Sequence, residues 1–130
     1  MYPFYIHVAA MGAGVILLAA GIFAARFFRN RRWWLKFHRP AGITGVVCLT
    51  VGAVATVVMV SLGGDGHLQV FHAWLGLAAI LFAISAPVLG TLQFTLRSHT
   101  GQIRRWHRRT GYVAIILCII AVFAGMKAVG

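Results

Sequence analysis

Four histidines recur at corresponding places along the chain and are the residues best suited to do chemistry. Three of them begin the same pattern, in which a glycine follows four residues later: His38-Arg-Pro-Ala-Gly42, His72-Ala-Trp-Leu-Gly76 and His107-Arg-Arg-Thr-Gly111. His7, followed by Gly12 and Gly14, matches this pattern loosely. An imidazole nitrogen can ligate a metal ion or a haem iron. The repetition indicates a duplicated helical hairpin with one histidine near the start of each helix.

The segments that must position these histidines are four long runs without Asp, Glu, Lys or Arg: residues 1–25, 40–64, 66–96 and 110–126. About 20 apolar residues in a helix span the hydrocarbon core of a bilayer. The chain is 61% hydrophobic and 10% charged, whereas soluble domains are about 25% charged. We predict an all-α, integral membrane four-helix up-down bundle, a single domain over residues 1–130. The expected helices lie near 5–27, 39–62, 68–96 and 106–127, with Pro40 in the first turn of the second.

The net charge of +11 is concentrated at one end of this bundle. Eleven of the twelve basic residues fall in the two connections that share that end: Arg26, Arg29, Arg31, Arg32, Lys36, Arg39, Arg97, Arg104, Arg105, Arg108 and Arg109. The opposite end carries only Asp65 and Lys127. This asymmetry follows the positive-inside rule and predicts cytoplasmic basic loops, with both termini outside, in a plasma or inner membrane. It argues for contact with lipid headgroups and against a nucleic-acid partner.

The helix directions place the histidines in two layers. His7 and His72 start helices that enter from outside, whereas His38 and His107 start helices that enter from inside. A haem with two axial imidazoles needs two histidines that face each other at one depth, and facing helices of bundles build such sites. We therefore predict two b-type haems, with these four histidines as the metal ligands. Each layer has only two histidines and no carboxylate, which argues against zinc.

Small residues follow each histidine on the same helical stripe. The stripes are mostly small and contain Met11, Gly14, Leu18, Gly21 and Ala25 in the first helix, Gly42, Gly45, Leu49 and Gly52 in the second, Gly76, Ala79, Ala83, Ala86 and Gly90 in the third, and Gly111, Ala114, Cys118, Ala121 and Gly125 in the fourth. We interpret them as space for a flat macrocycle, although small stripes also allow plain helix packing in membranes.

Three arginines next to the inner histidines are candidates for contact with the haem propionates, because the guanidinium fork matches a carboxylate. These are Arg39, Arg108 and Arg109; the alternative is that they only anchor the helices at the interface. His67 and His99 lie in or near loops, where a solvated side chain is the simpler interpretation.

These residues resemble the cytochrome b561 family, especially the four-helix core shared with DOMON-linked and ferric-reductase-like transmembrane proteins. The resemblance covers nearly the whole chain and includes Ala25-Arg26-Phe27, Trp34-Leu-Lys-Phe-His38, Phe71-His72-Ala-Trp74-Leu-Gly76, His107-Arg-Arg-Thr-Gly111-Tyr112 and Val122-Phe123-Ala-Gly125. It implies that the first and third helices ligate one haem b and the second and fourth the other. The implied pairs are His7 with His72 and His38 with His107. The predicted depths of the four histidines in the membrane indicate the same pairs.

The resemblance also implies transmembrane electron transfer, from donors such as ascorbate to monodehydroascorbate or ferric chelates. The chain has four predicted helices rather than the six of the ascorbate members, and it shows no DOMON domain. The sequence therefore leaves three candidates for the electron donor: a quinol, ascorbate or a redox partner protein. We favour a subunit that docks other redox proteins, within a larger complex or a homo-oligomer. The alternatives are a quinol-oxidising or quinone-reducing membrane subunit and, from another class, a haem-free membrane anchor.

Overall fold

Four long α-helices make up most of the chain. The computed structural model describes residues 2–64 and 66–129, so Asp65 lies outside the described residues. The helices are α1 (Tyr2–Phe27), α2 (Trp34–Gly63), α3 (Phe71–Thr95) and α4 (Thr100–Val129), with one turn of 3-10 helix at Arg97–His99 before α4. All four are long and apolar enough to cross a membrane. The predicted all-α, four-helix membrane architecture is confirmed.

Two helices begin earlier than their hydropathy indicates. α2 starts at Trp34 rather than near residue 39, and α4 starts at Thr100 rather than near 106. The predicted starts followed the loss of charged residues, but Arg and Lys are good helix formers and extend a helix beyond its apolar part. Pro40 consequently lies inside α2, so the prediction that it occupies the first turn is wrong.

The four helices form two tight hairpins. α1 packs along α2 and α3 along α4, whereas contacts of α2 with α3 and of α1 with α4 are sparse. Each hairpin is antiparallel. His7 near the start of α1 contacts Gly52 in the second half of α2, and His72 near the start of α3 contacts Ala121 in the second half of α4. The looser junction between the hairpins leaves room for a site along the bundle axis.

Glycine allows α1 and α2 to approach closely. A Cβ added at Gly14 would lie 2.9 Å from the carbonyl oxygen of Gly45 and 2.8 Å from a methyl carbon of Leu49. A Cβ at Gly45 would lie 3.1 Å from the carbonyl oxygen of Gly14. Such small-residue contacts let membrane helices pack without the hydrophobic driving force that water supplies.

The two hairpins meet in the middle of the bundle. The buried cluster there contains Leu49 from α2, Ala79 and Ala83 from α3, and Ala114 and Cys118 from α4. Leu49 is only 1% exposed and is the one large side chain that is fully buried among the described residues. Large apolar side chains such as Ile16 and Phe123 instead point outwards, as expected of a surface in contact with lipid.

Substitution of Gly14 by Ala tests the close contact within the first hairpin. We expect Gly14→Ala to destabilise the protein by about 1–3 kcal/mol, since the new methyl group meets a backbone oxygen that cannot rotate away. Gly12→Ala is the matched control, because a Cβ there meets no atom within 4 Å. Thermal unfolding in detergent should show a lower Tm for Gly14→Ala only; equal Tm values for both variants would contradict the packing described.

Candidate functional site

The structure brings the four predicted histidines together as two facing pairs. The ring centres of His7 and His72 lie 6.2 Å apart, and their planes are at 89°. The ring centres of His38 and His107 lie 5.9 Å apart, with planes at 90°. Each pair combines one histidine from each hairpin, α1 with α3 and α2 with α4.

These spacings suit two imidazoles on opposite sides of one metal ion. A metal–imidazole bond is about 2 Å long, so two opposed nitrogens lie about 4 Å apart and their ring centres about 6 Å apart. Both observed separations agree with this value. Among residues 2–64 and 66–129, no group of three or more His, Cys, Asp or Glu could hold a metal ion. With two facing imidazoles each, the pairs fit a metal whose remaining ligands come from a cofactor, as in haem.

Hydrogen bonds to the backbone determine which ring nitrogen is available. Each Nδ1 donates to a helix carbonyl of the neighbouring helix: His7 to Gly52 at 3.0 Å, His38 to Gly21 at 2.9 Å, His72 to Ala121 at 2.8 Å and His107 to Ala86 at 2.7 Å. Because a carbonyl oxygen can only accept, each Nδ1 carries the proton in the neutral ring. Each Nε2 then keeps its lone pair for a metal, and the bond fixes the orientation of the ring.

All four of these hydrogen bonds are made within a hairpin, while both ring pairs are made between hairpins. His38 on α2 is held by α1, for example, but faces His107 on α4. Each hairpin thus positions its own histidines and presents them to the other hairpin. Bringing the two hairpins together completes both sites at once.

A cavity of about 300 Å³ surrounds His38 and His107. Residues of all four helices line it, including Gly42 and Gly111, which each lie four residues after one of these histidines. A Cβ added at Gly42, Gly76 or Gly111 would meet no atom within 4 Å. Protein packing does not require glycine at these positions, so the missing side chains leave open space beside the imidazoles. This supports the interpretation of the stripe as room for a macrocycle.

Two other glycines of the stripes lie against a histidine ring rather than beside open space. A Cβ at Gly125 would lie 2.9 Å from Cε1 of His72, and a Cβ at Gly90 would lie 3.1 Å from Cε1 of His107. These two glycines make room for the imidazole of the neighbouring helix. The prediction that the whole stripe accommodates a macrocycle is therefore too simple.

Arginine side chains gather at the same cavity. Arg39 and Arg108, predicted beside the inner histidines, both line it, and so do Arg29 and Arg104. The guanidinium of Arg39 also lies 5.9 Å from the ring centre of Phe94, within range of a cation–π contact. Sequence reasoning missed Arg29 and Arg104, because both were assigned to loops whose course the pattern does not predict.

The backbone partners of the histidines were also missed, since a carbonyl group has no signature in the sequence. Thr56 was missed as well: its hydroxyl oxygen lies 2.6 Å from Nδ1 of His7, although the two residues are on different helices. His67 and His99 join neither pair. They are exposed, and each contacts a nearby serine, Ser61 or Ser98.

Comparison with known protein families agrees with this geometry. The family model described as eukaryotic cytochrome b561 matches residues 6–129. The chain belongs to the cytochrome b561 family. Neither the comparison with curated proteins nor that with solved structures gave a match. As a member of the family, this integral membrane protein binds b-type haem and transfers electrons across the membrane.

Filling the open space beside His107 tests the assignment of the cavity. We expect Gly111→Leu to lower the content of haem b, because the new side chain enters the cavity, while the fold tolerates it in the absence of nearby atoms. Val113→Leu, at an exposed position of the same helix, is the control. Visible spectra and circular dichroism would be measured on both proteins. A normal haem content in a folded Gly111→Leu protein would show that the cavity is not the haem site.

Proposed function

We propose that this protein carries electrons across the membrane through two haems b, one held by His7 and His72 and the other by His38 and His107. The observation that carries the proposal is the paired geometry, in which four rings face each other in twos and each has its Nδ1 bound to a backbone carbonyl. When bound, haem b supplies a one-electron carrier whose potential depends on its ligands and surroundings.

The histidines have two roles in this proposal. Their Nε2 atoms would be the ligands that hold the haem, two histidines to each pair. Their Nδ1 protons, donated to helix carbonyls, raise the basicity of the ring and keep it from rotating. A histidine that lost its carbonyl partner could rotate its ring away from the metal.

The two pairs lie at different depths. His38 is bonded to Gly21, so the level of its pair on α1 is 14 residues (21 − 7) beyond His7. At about 1.5 Å per residue, this corresponds to about 21 Å along the helix. The buried apolar cluster around Leu49 fills the space between the pairs. Two separate carriers at opposite ends of the bundle would connect its two faces.

The arginines around His38 and His107 are proposed to bind the propionates of the inner haem. Arg39 and Arg108 line the cavity near its basic end, and Arg29 and Arg104 add two further guanidinium groups. Bidentate pairing with a carboxylate gives geometric specificity in addition to charge neutralisation. The four groups together would orient the macrocycle with its polar edge towards this face.

We place the basic end of the bundle in the cytoplasm and both termini outside, by the positive-inside rule. The dense positive charge of that end also favours an anionic partner, since complementary charges accelerate encounter. An acidic redox protein, ascorbate or a ferric chelate would meet this condition, whereas a quinol would approach from the lipid. Family membership argues against a haem-free anchor.

Substitution of single histidines tests the two-haem proposal. We expect His72→Ala and His107→Ala each to remove about half of the haem b, because each breaks one of two bis-histidine sites. Both variants should also lose electron transfer from a reductant outside proteoliposomes to ferricyanide trapped inside. His67→Ala and His99→Ala are matched controls, since these rings are exposed and join neither pair. Transfer at the normal rate in His72→Ala or His107→Ala would contradict the proposal.

Cysteine labelling tests the orientation. We expect an impermeant maleimide added to intact cells to label Gln69→Cys and not Ser98→Cys, because the two exposed positions lie at opposite ends of the bundle. The wild-type protein serves as the control, since Cys48 and Cys118 both lie within the spans. Labelling of Ser98→Cys alone would reverse the assigned orientation.

A further inference from the structure

His7 has a hydrogen-bond environment that the other three paired histidines lack. Its Nδ1 lies 3.0 Å from the carbonyl oxygen of Gly52, as in the common arrangement, and 2.6 Å from Oγ1 of Thr56. The hydroxyl oxygen of Thr56 is in turn 3.2 Å from the same Gly52 carbonyl. The three atoms form a closed triangle in a half-buried position.

Only one arrangement of protons makes all three contacts of this triangle hydrogen bonds. The carbonyl oxygen of Gly52 has no proton, so both its contacts must be donated to it, one by Nδ1–H of His7 and one by the hydroxyl of Thr56. If the hydroxyl instead donated to Nδ1, the bare nitrogen and the carbonyl oxygen would be two acceptors facing each other at 3.0 Å. The hydroxyl oxygen of Thr56 therefore accepts from Nδ1 while its own proton goes to Gly52.

This arrangement gives the proton of His7 two acceptors. A hydroxyl that already donates is polarised and accepts more strongly, because hydrogen bonds in a chain reinforce one another in a low dielectric. At 2.6 Å, the contact with Thr56 is also the shortest made by any of the four Nδ1 atoms. Stronger donation from Nδ1 makes the ring a more basic ligand.

We propose that Thr56 is a positioning residue that strengthens His7 as a ligand and lowers the reduction potential of the haem held by His7 and His72, making the two haems unequal. This inference rests on the proposed function, since it requires a haem at that pair. A more basic axial ligand stabilises the oxidised, more positively charged metal, so the His7 pair would favour the oxidised state. Removing the hydroxyl should shift that equilibrium towards the reduced state.

A redox titration of the purified protein, followed by visible spectroscopy, tests the inference with four variants. Thr56→Val removes the hydroxyl and keeps the shape of the side chain. Thr56→Ser retains the hydroxyl and should restore wild-type behaviour. Thr50→Val is the matched control, because the Thr50 hydroxyl also bonds the carbonyl four residues earlier on α2 but contacts no histidine. His38→Ala, which keeps only the His7 pair, identifies the component that belongs to it.

We expect Thr56→Val to raise the potential of the His7 component and to leave the other component unchanged. The expected shift is about threefold to tenfold in the reduction equilibrium, or about 30–60 mV, since tenfold corresponds to 59 mV for one electron. Unchanged potentials in a Thr56→Val protein with both haems would overturn the inference and leave the two-haem proposal intact. An equal shift in Thr50→Val or no recovery in Thr56→Ser would overturn it too. A wild-type protein without a haem component assigned to His7 would overturn both proposals.

Discussion

An imidazole ring inside a membrane has two polar nitrogen atoms and no water to form hydrogen bonds with them. In this protein the hydrogen bond made by Nδ1 fixes the direction in which Nε2 points. In all four paired histidines Nδ1 donates to a helix carbonyl of the neighbouring helix. These carbonyls already accept helical hydrogen bonds, and the second lone pair of the oxygen is available to the imidazole. At Gly52 the Thr56 hydroxyl is a further and longer donor, at 3.2 Å. The rings are thereby held in fixed orientations by the backbone of a rigid element.

The hairpin packing follows from the same requirement. For a ring on one helix to reach the backbone of the next, the two helices must lie close together, and small residues permit this. Gly90 and Gly125 leave space for His107 and His72, and Gly14 lies against Gly45. Between the hairpins the packing is different: the glycines that follow His38, His72 and His107 face open space. Tight packing within the hairpins orients the rings, and loose packing between the hairpins leaves the space that the proposed haems would occupy.

The pairing of the histidines could be predicted because it depends only on helix direction and depth, which charge-free runs and basic connections indicate. The helix count and the position of Arg39 and Arg108 beside His38 and His107 followed from the same pattern. The early starts of α2 and α4 could not be read from hydropathy, since Arg and Lys continue a helix beyond the apolar region. The carbonyl partners and Thr56 could not be predicted either, because they depend on the rotation of one helix against its neighbour. The exposed ends of the bundle carry most of the polar residues, and there a sequence pattern gives little information on contacts.

The central claim is that one chain holds two bis-histidine haems. The most direct test is a pyridine haemochrome assay on the purified protein, with the amount of chain determined by amino-acid analysis. Two haems b per chain are predicted, because the two ring pairs have matching separations of 6.2 and 5.9 Å. One haem per chain would mean that one pair has a structural role only, and none would contradict the account of both sites.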